Sequence, residues 1–143
     1  MKFWDASAIV PLLIAERGSA PLRAAGADDP LMLVWWASQI ECASALARLE
    51  REGLLDTQSI RAAHKRLHQL IANWQEIDPS DELREAAARL LRVHPLRVGD
   101  ALQLAAAFVA ASGRPSSLEF VVLDERLATA AQKEGFSIVE IAG

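Results

Sequence analysis

The sequence contains one cysteine, Cys42, which excludes an intrachain disulfide and makes a reducing compartment the expectation, with the thiol read as a small apolar core group. It has no excess of positive charge. Fifteen Lys and Arg face nineteen Asp and Glu, a net charge of -4 at pH 7, which argues against a protein that coats nucleic acid through a basic surface. A local basic face stays compatible with that balance. No apolar run is long enough to span a membrane. The opening MKFWDASAIVPLLIAERG is apolar, but Asp5 and Pro11 interrupt it and no basic cluster precedes it, so it does not read as a signal peptide. Repeats, linkers and low-complexity stretches are also missing. The 143 residues, 52% of them apolar, suit a single domain over 1–143, expected in the cytoplasm with no membrane partner.

What is present is an alternation of short strands and helices. Lys2–Trp4, Leu31–Trp35, Glu76–Ile77, Glu119–Leu123 and the final SIVEI read as strands. Helices are predicted over Ser7–Leu13, around Ser19–Ala25, from an N-capping Ser38 with Glu41 three residues on to a stop at Gly53, and from Asp56 to Trp74. Further helices follow Pro79-Ser80-Asp81, fill the alanine-rich VGDALQLAAAFVAASG, and start after Asp124. The two long central helices should form a hairpin, and the uncharged alanine-rich helix should be buried. The absence of hairpin turn signals implies a central parallel sheet of four to five short strands with helices on both faces, a three-layer α/β sandwich.

In such a sheet, strands end and their following helices begin on one edge, where ligands bind. Asp5 follows the first strand, Glu41 opens the helix after the second, Asp124 follows the fourth, and Asp100 opens the helix leading back to the fourth. Four acids distant in sequence therefore converge. Crowded carboxylates raise one another's pKa unless a cation neutralises them. Oxygen donors without His or Cys suit hard ions such as Mg²⁺ or Mn²⁺, which share phosphate oxygens with a substrate, so the implied chemistry is phosphodiester hydrolysis. Taken singly, each acid is better explained by capping: Glu41 in a box with Ser38, Asp124 as an N-cap, Asp100 against a helix dipole. Asp5 fits a cap less well, because Ser7 stands where it would cap the helix itself. The joint placement is what favours a site.

These stretches resemble the PIN domains, in particular the VapC-type ribonuclease toxins of toxin–antitoxin pairs. FWDASAIVPLLIAE resembles their opening motif, SQIECASALARL the second acidic motif, PLRVGDALQLAAA the third and FVVLDERLATAAQKEGFSIV the last, in order along essentially the whole chain. The resemblance implies a PIN-like sandwich and an acidic metal-binding quartet, Asp5, Glu41, Asp100 and Asp124, with Ser7 as the polar residue beside the first acid. It further implies Mg²⁺- or Mn²⁺-dependent endoribonuclease action on RNA, a homodimer and a cognate antitoxin of the VapB type. The chain departs at Val122, where many relatives carry Thr or Ser, so a hydroxyl near the metal or substrate is missing.

Positive charge at the rim of an acidic pocket should bind flanking phosphates, and Arg97 and Arg126 are nearest in sequence to the acids. Each equally fits a solvated surface arginine. The stripe Arg61, His64, Lys65 and His68 fits the wet face of a helix, and the three histidines form no evident metal set. Trp4, Trp35, Trp36 and Trp74 read as core, although adjacent Trp35 and Trp36 point to opposite faces and one should reach a surface cleft. The helix hairpin would offer a groove for an antitoxin helix. A haloacid-dehalogenase-type phosphotransferase wants an Asp where Ser7 stands, and a receiver domain wants a lysine near the last strand, where FSIVEIAG has none. The remaining alternative is a non-catalytic PIN-fold interaction protein.

Overall fold

Along the central strands, successive side chains serve opposite layers. The computed structural model describes residues 1–14 and 20–141. Its strands β1 (Lys2–Trp4), β2 (Leu33–Trp35), β3 (Gln75–Ile77), β4 (Glu119–Val121) and β5 (Ser137–Ile138) form one parallel sheet in the order β3-β2-β1-β4-β5. Phe3, Leu33, Trp35, Phe120 and Val122 face one layer, while Trp4, Val34 and Val121 face the other. Both faces are therefore apolar, as a parallel sheet covered by helices requires.

The helices are α1 (Ala6–Leu13), α2 (Ala20–Ala27), α3 (Ser38–Arg51), α4 (Thr57–Ile71), α5 (Asp81–Val93), α6 (Val98–Ala110) and α7 (Glu125–Lys133). The first four share the Trp4 layer with Ile9, Leu13, Leu46 and Leu67; the last three share the Phe3 layer with Leu83, Leu90, Leu104 and Leu127. Each such side chain, fully withdrawn from water, contributes about 1.5–3 kcal/mol. Ala101, Leu104, Ala105, Ala106 and Ala107 are wholly buried, so α6 is the interior helix its composition suggested. None of these helices is long and apolar enough to cross a membrane.

Several boundaries move. The second strand is Leu33–Trp35 rather than Leu31–Trp35, and the fourth ends at Val121, leaving Val122 buried just beyond it. The predicted start at Ser19 lies outside the described residues. Pro11 sits in the second turn of α1. The Gly53 stop is observed: at φ 71° it lets its own N–H reach Glu50 O and the Leu54 N–H reach Leu49 O, closing α3 in a Schellman motif. The α3–α4 hairpin forms as expected.

Strand order reverses between β1 and β4, because α1 leaves β1 for one layer and α7 follows β4 in the other. The carboxyl ends of these two strands flank the crevice in which open parallel sheets place their ligands.

Candidate active site

Asp5 ends β1 inside that crevice. It is 5% exposed and its backbone N–H donates to Val121 O at 3.0 Å, fixing it to the end of β4. Contrary to the sequence expectation, Asp5 and not Ser7 caps α1, accepting the Ser7 N–H on Oδ2 at 3.1 Å. The Ser7 side chain also hydrogen-bonds Asp5 and has a second task. Its Oγ accepts the backbone N–H groups of Leu123 at 3.0 Å and Asp124 at 3.3 Å, so one serine ties the first acid to the last. Asp124 is exposed and caps α7, accepting the Leu127 N–H at 2.9 Å.

Glu41 approaches from α3. The predicted capping box is absent: the N-cap is Ala37, which makes no side-chain bond, and Ser38 lies in the first turn with its side chain buried. A box needs the Ser38 hydroxyl on its own helix, but that hydroxyl points instead at α6, where Gln103 Nε2 donates to it at 3.0 Å. The same Nε2 donates to Glu41 Oε1, also at 3.0 Å. Burial, then the charges of Asp5 and Asp100, push the Glu41 carboxyl up to about 7 against the opposing Gln103 bond. Burial likewise raises Asp5, with Asp100 adding to it while Ser7 opposes. Behind Glu41 the buried Cys42 thiol is pushed up to about 12, the inert core group that was expected.

Asp100, in the first turn of α6, is raised by burial and by Asp124, and lowered by the Arg97 backbone and the charges of Arg97 and Arg126. Both arginines line one cleft of about 440 Å³ with Asp100, Asp124 and Glu125. A second groove of about 310 Å³ runs from Ser7 and Glu41 between α1 and α3 to Arg48, a cation that sequence proximity to the acids did not single out. Trp36 is exposed and, with Trp35, lines a third cleft of about 540 Å³, while Trp4, Trp35 and Trp74 are buried. On α4, Ile60, Ala63 and Leu67 are buried, whereas Arg61, Lys65 and His68 are exposed, as a solvated face requires.

The carboxylates thus interact in sequence, Glu41 with Asp5, both with Asp100, and Asp100 with Asp124. Among the described residues no three acidic, histidine or cysteine side chains stand as a ready cage for one ion. Mg²⁺ does not need one, since it is commonly held by one or two carboxylates, with water and phosphate oxygens completing its shell. The all-oxygen donor set, with Asp5, Glu41 and Asp100 shifted upward, fits a hard divalent cation.

No family model matches the chain. Ribonuclease VapC45 of Mycobacterium tuberculosis (strain CDC 1551 / Oshkosh) is 32% identical over 133 residues, spanning 93% of this chain and 90% of that protein. The chain belongs to the VapC ribonuclease family. Among solved structures, FitAcB from Neisseria gonorrhoeae matches with a TM-score of 0.65 at 16% identity, covering 98% of this chain and 97% of that one. A toxin–antitoxin complex from Klebsiella pneumoniae matches at 0.62 and 15% identity, covering 90% and 91%. At such identities the likeness is one of fold, and it identifies the VapC-family sandwich as PIN-like.

Proposed function

We propose that this chain is a single-domain endoribonuclease toxin dependent on Mg²⁺ or Mn²⁺. Asp5, Glu41, Asp100 and Asp124 supply the cation's protein oxygens, Ser7 holds Asp5 and the start of α7 in register, and Arg97 and Arg126 bind phosphates beside the scissile bond. The observation that carries this reading is Glu41. Burial, Asp5, the Gln103 amide and Asp100 act on its carboxyl, none of them is positive, and it is held near 7. A carboxyl so placed is a cost to the fold that a bound cation offsets. When bound, the cation neutralises charge on the acids and the phosphodiester and activates the attacking water.

Membership of the VapC family, with a relative named as a ribonuclease, supports RNA as the substrate. The Klebsiella toxin–antitoxin complex supports a cognate antitoxin, which we take to be of the VapB type. A homodimer working in the cytoplasm completes the proposal. A non-catalytic interaction protein is the weaker reading, since the feature that favours it is the hydroxyl missing at Val122. That residue is 5% exposed and belongs to the core cluster of Phe120 and Leu127, so packing is a sufficient reason for a valine there.

The test is cleavage of a pool of structured RNAs by antitoxin-free protein with Mg²⁺, with Mn²⁺ and with chelator, beside Asp100→Asn. Cleavage that requires the cation and is lost in the variant supports the proposal. Cleavage that persists in chelator, or in Asp100→Asn at the wild-type rate, overturns it.

A further inference from the structure

We infer that Gln103 is a positioning residue that presents the Glu41 carboxylate to the cation, with Ser38 setting the angle of its amide. This rests on the reading of the acidic crevice as a cation site. Gln103 is wholly buried, the one polar side chain among the buried residues of α6, which are otherwise Ala101, Leu104, Ala105, Ala106 and Ala107. Its Nε2 reaches Ser38 Oγ and Glu41 Oε1, each at 3.0 Å, so both amide hydrogens go to α3. The cost lies on the other side of the amide. Among the described residues Gln103 Oε1 is buried with no hydrogen-bond partner, and such a group opposes folding because it has lost water and gained nothing in exchange.

Turning the amide over would set a carbonyl oxygen against an ionised Glu41 and repel it. The observed orientation therefore favours the charged carboxylate that a cation requires, at the expense of an unsatisfied carbonyl. A leucine would fit the same apolar layer without that expense, so packing alone does not account for glutamine here. The buried Ser38 hydroxyl belongs to the same device. It makes no cap for α3, whose N-cap Ala37 has no side-chain bond, and anchoring one amide hydrogen on Ser38 aims the other at Glu41. With Oε1 of Glu41 fixed, Oε2 is left for the cation. Partners of this kind hold metal-binding carboxylates in their working orientation, and their loss commonly lowers metal affinity about 10- to 100-fold.

The experiment measures Mn²⁺ dissociation constants and melting temperatures for the full chain and for Gln103→Leu, Gln103→Asn, Ser38→Ala, Glu41→Gln and the Gln103→Leu/Glu41→Gln pair. Gln103→Leu is expected to weaken Mn²⁺ binding about 10- to 100-fold with a melting temperature equal to or above wild type. Gln103→Asn, whose amide stops one methylene short, should weaken it similarly and keeps the assay informative if leucine disturbs the core. Ser38→Ala should weaken it less. If Gln103 acts through Glu41, Gln103→Leu costs nothing further in the Glu41→Gln background. Wild type that binds Mn²⁺ beside a Gln103→Leu and a Gln103→Asn that bind equally well overturns the positioning role alone, as does an undiminished effect in the Glu41→Gln background. Wild type that binds no Mn²⁺ overturns the cation site and this role with it.

Discussion

Glu41 and Glu134 are both partly buried glutamates at helix ends, one in the first turn of α3 and the other closing α7, yet their carboxyls are shifted in opposite directions. Burial raises both. At Glu134 it is outweighed by Arg89 Nη2, donating at 2.8 Å, and by the His94 ring nitrogen Nε2 at 2.6 Å, so the carboxyl is held below its usual range. At Glu41 the neighbouring charges are the negative Asp5 and Asp100, and the carboxyl rises to about 7. The α5–α7 junction answers its acid from within the fold. At Glu41 and Asp5 the crevice sets no positive group against burial, and on the proposed reading a cation from outside takes that place.

Neutralising a crevice acid should break the contrast most visibly. Asp5→Asn keeps a good N-cap and removes the charge, so RNA cleavage is expected to fall on the order of 100-fold or more, with the melting temperature unchanged or raised. A matching loss of folding with specific activity preserved would return Asp5 to a purely capping role. The mirror experiment is Glu134→Gln. Loss of two charge-assisted bonds at a partly exposed site should cost about 1–2 kcal/mol, seen as a melting temperature lower by roughly 2–8 °C, while cleavage per folded molecule holds.

The two regions should also respond to pH with opposite signs. Glu41 binds its proton more tightly folded than unfolded, so its contribution to stability is fully present below its ordinary 4.5 and is lost as pH rises to about 7. Asp5 and Asp100 are shifted in the same direction. Glu134, shifted down from 4.5, contributes above that value and is lost as pH falls. Melting curves of cation-free protein should therefore decline between pH 5 and pH 8 by a few degrees, roughly, with Mg²⁺ opposing the decline and Glu41→Gln flattening it. An unchanged slope in Glu41→Gln would place the titration elsewhere. The smallest effect expected is local: Asp5→Ala should cost about 1 kcal/mol more than Asp5→Asn, since alanine cannot cap α1.

How much of this was legible in the sequence follows from what each kind of signal carries. The alternation of short apolar strands with helices, without hairpin turn signals, gave the parallel sheet and its two layers, because these are local properties of the chain. The strand-end rule brought Asp5, Asp100 and Asp124 to one crevice, since it depends on chain order alone. Cap assignments at Ser38 and Asp5 failed for a different reason. A serine before a helix can bond its own backbone or something across the fold, and here α6 supplied Gln103, distant in sequence, as the competing partner. Gln103 itself carried a faint signal, a polar residue in an alanine-rich helix, but its meaning required knowing that Glu41 lies opposite. Arg48 joined the groove at Glu41 because α3 carries it along one face two turns on, a link of helical geometry rather than adjacency.

The most direct measurement is a carbon-13 NMR titration of the Glu41 carboxyl in the full chain, with and without Mg²⁺. If the crevice is a cation site, Glu41 titrates near 7 in the cation-free protein and well below 5 when Mg²⁺ is present. A carboxyl that titrates near 4.5 under both conditions would contradict the account at its centre.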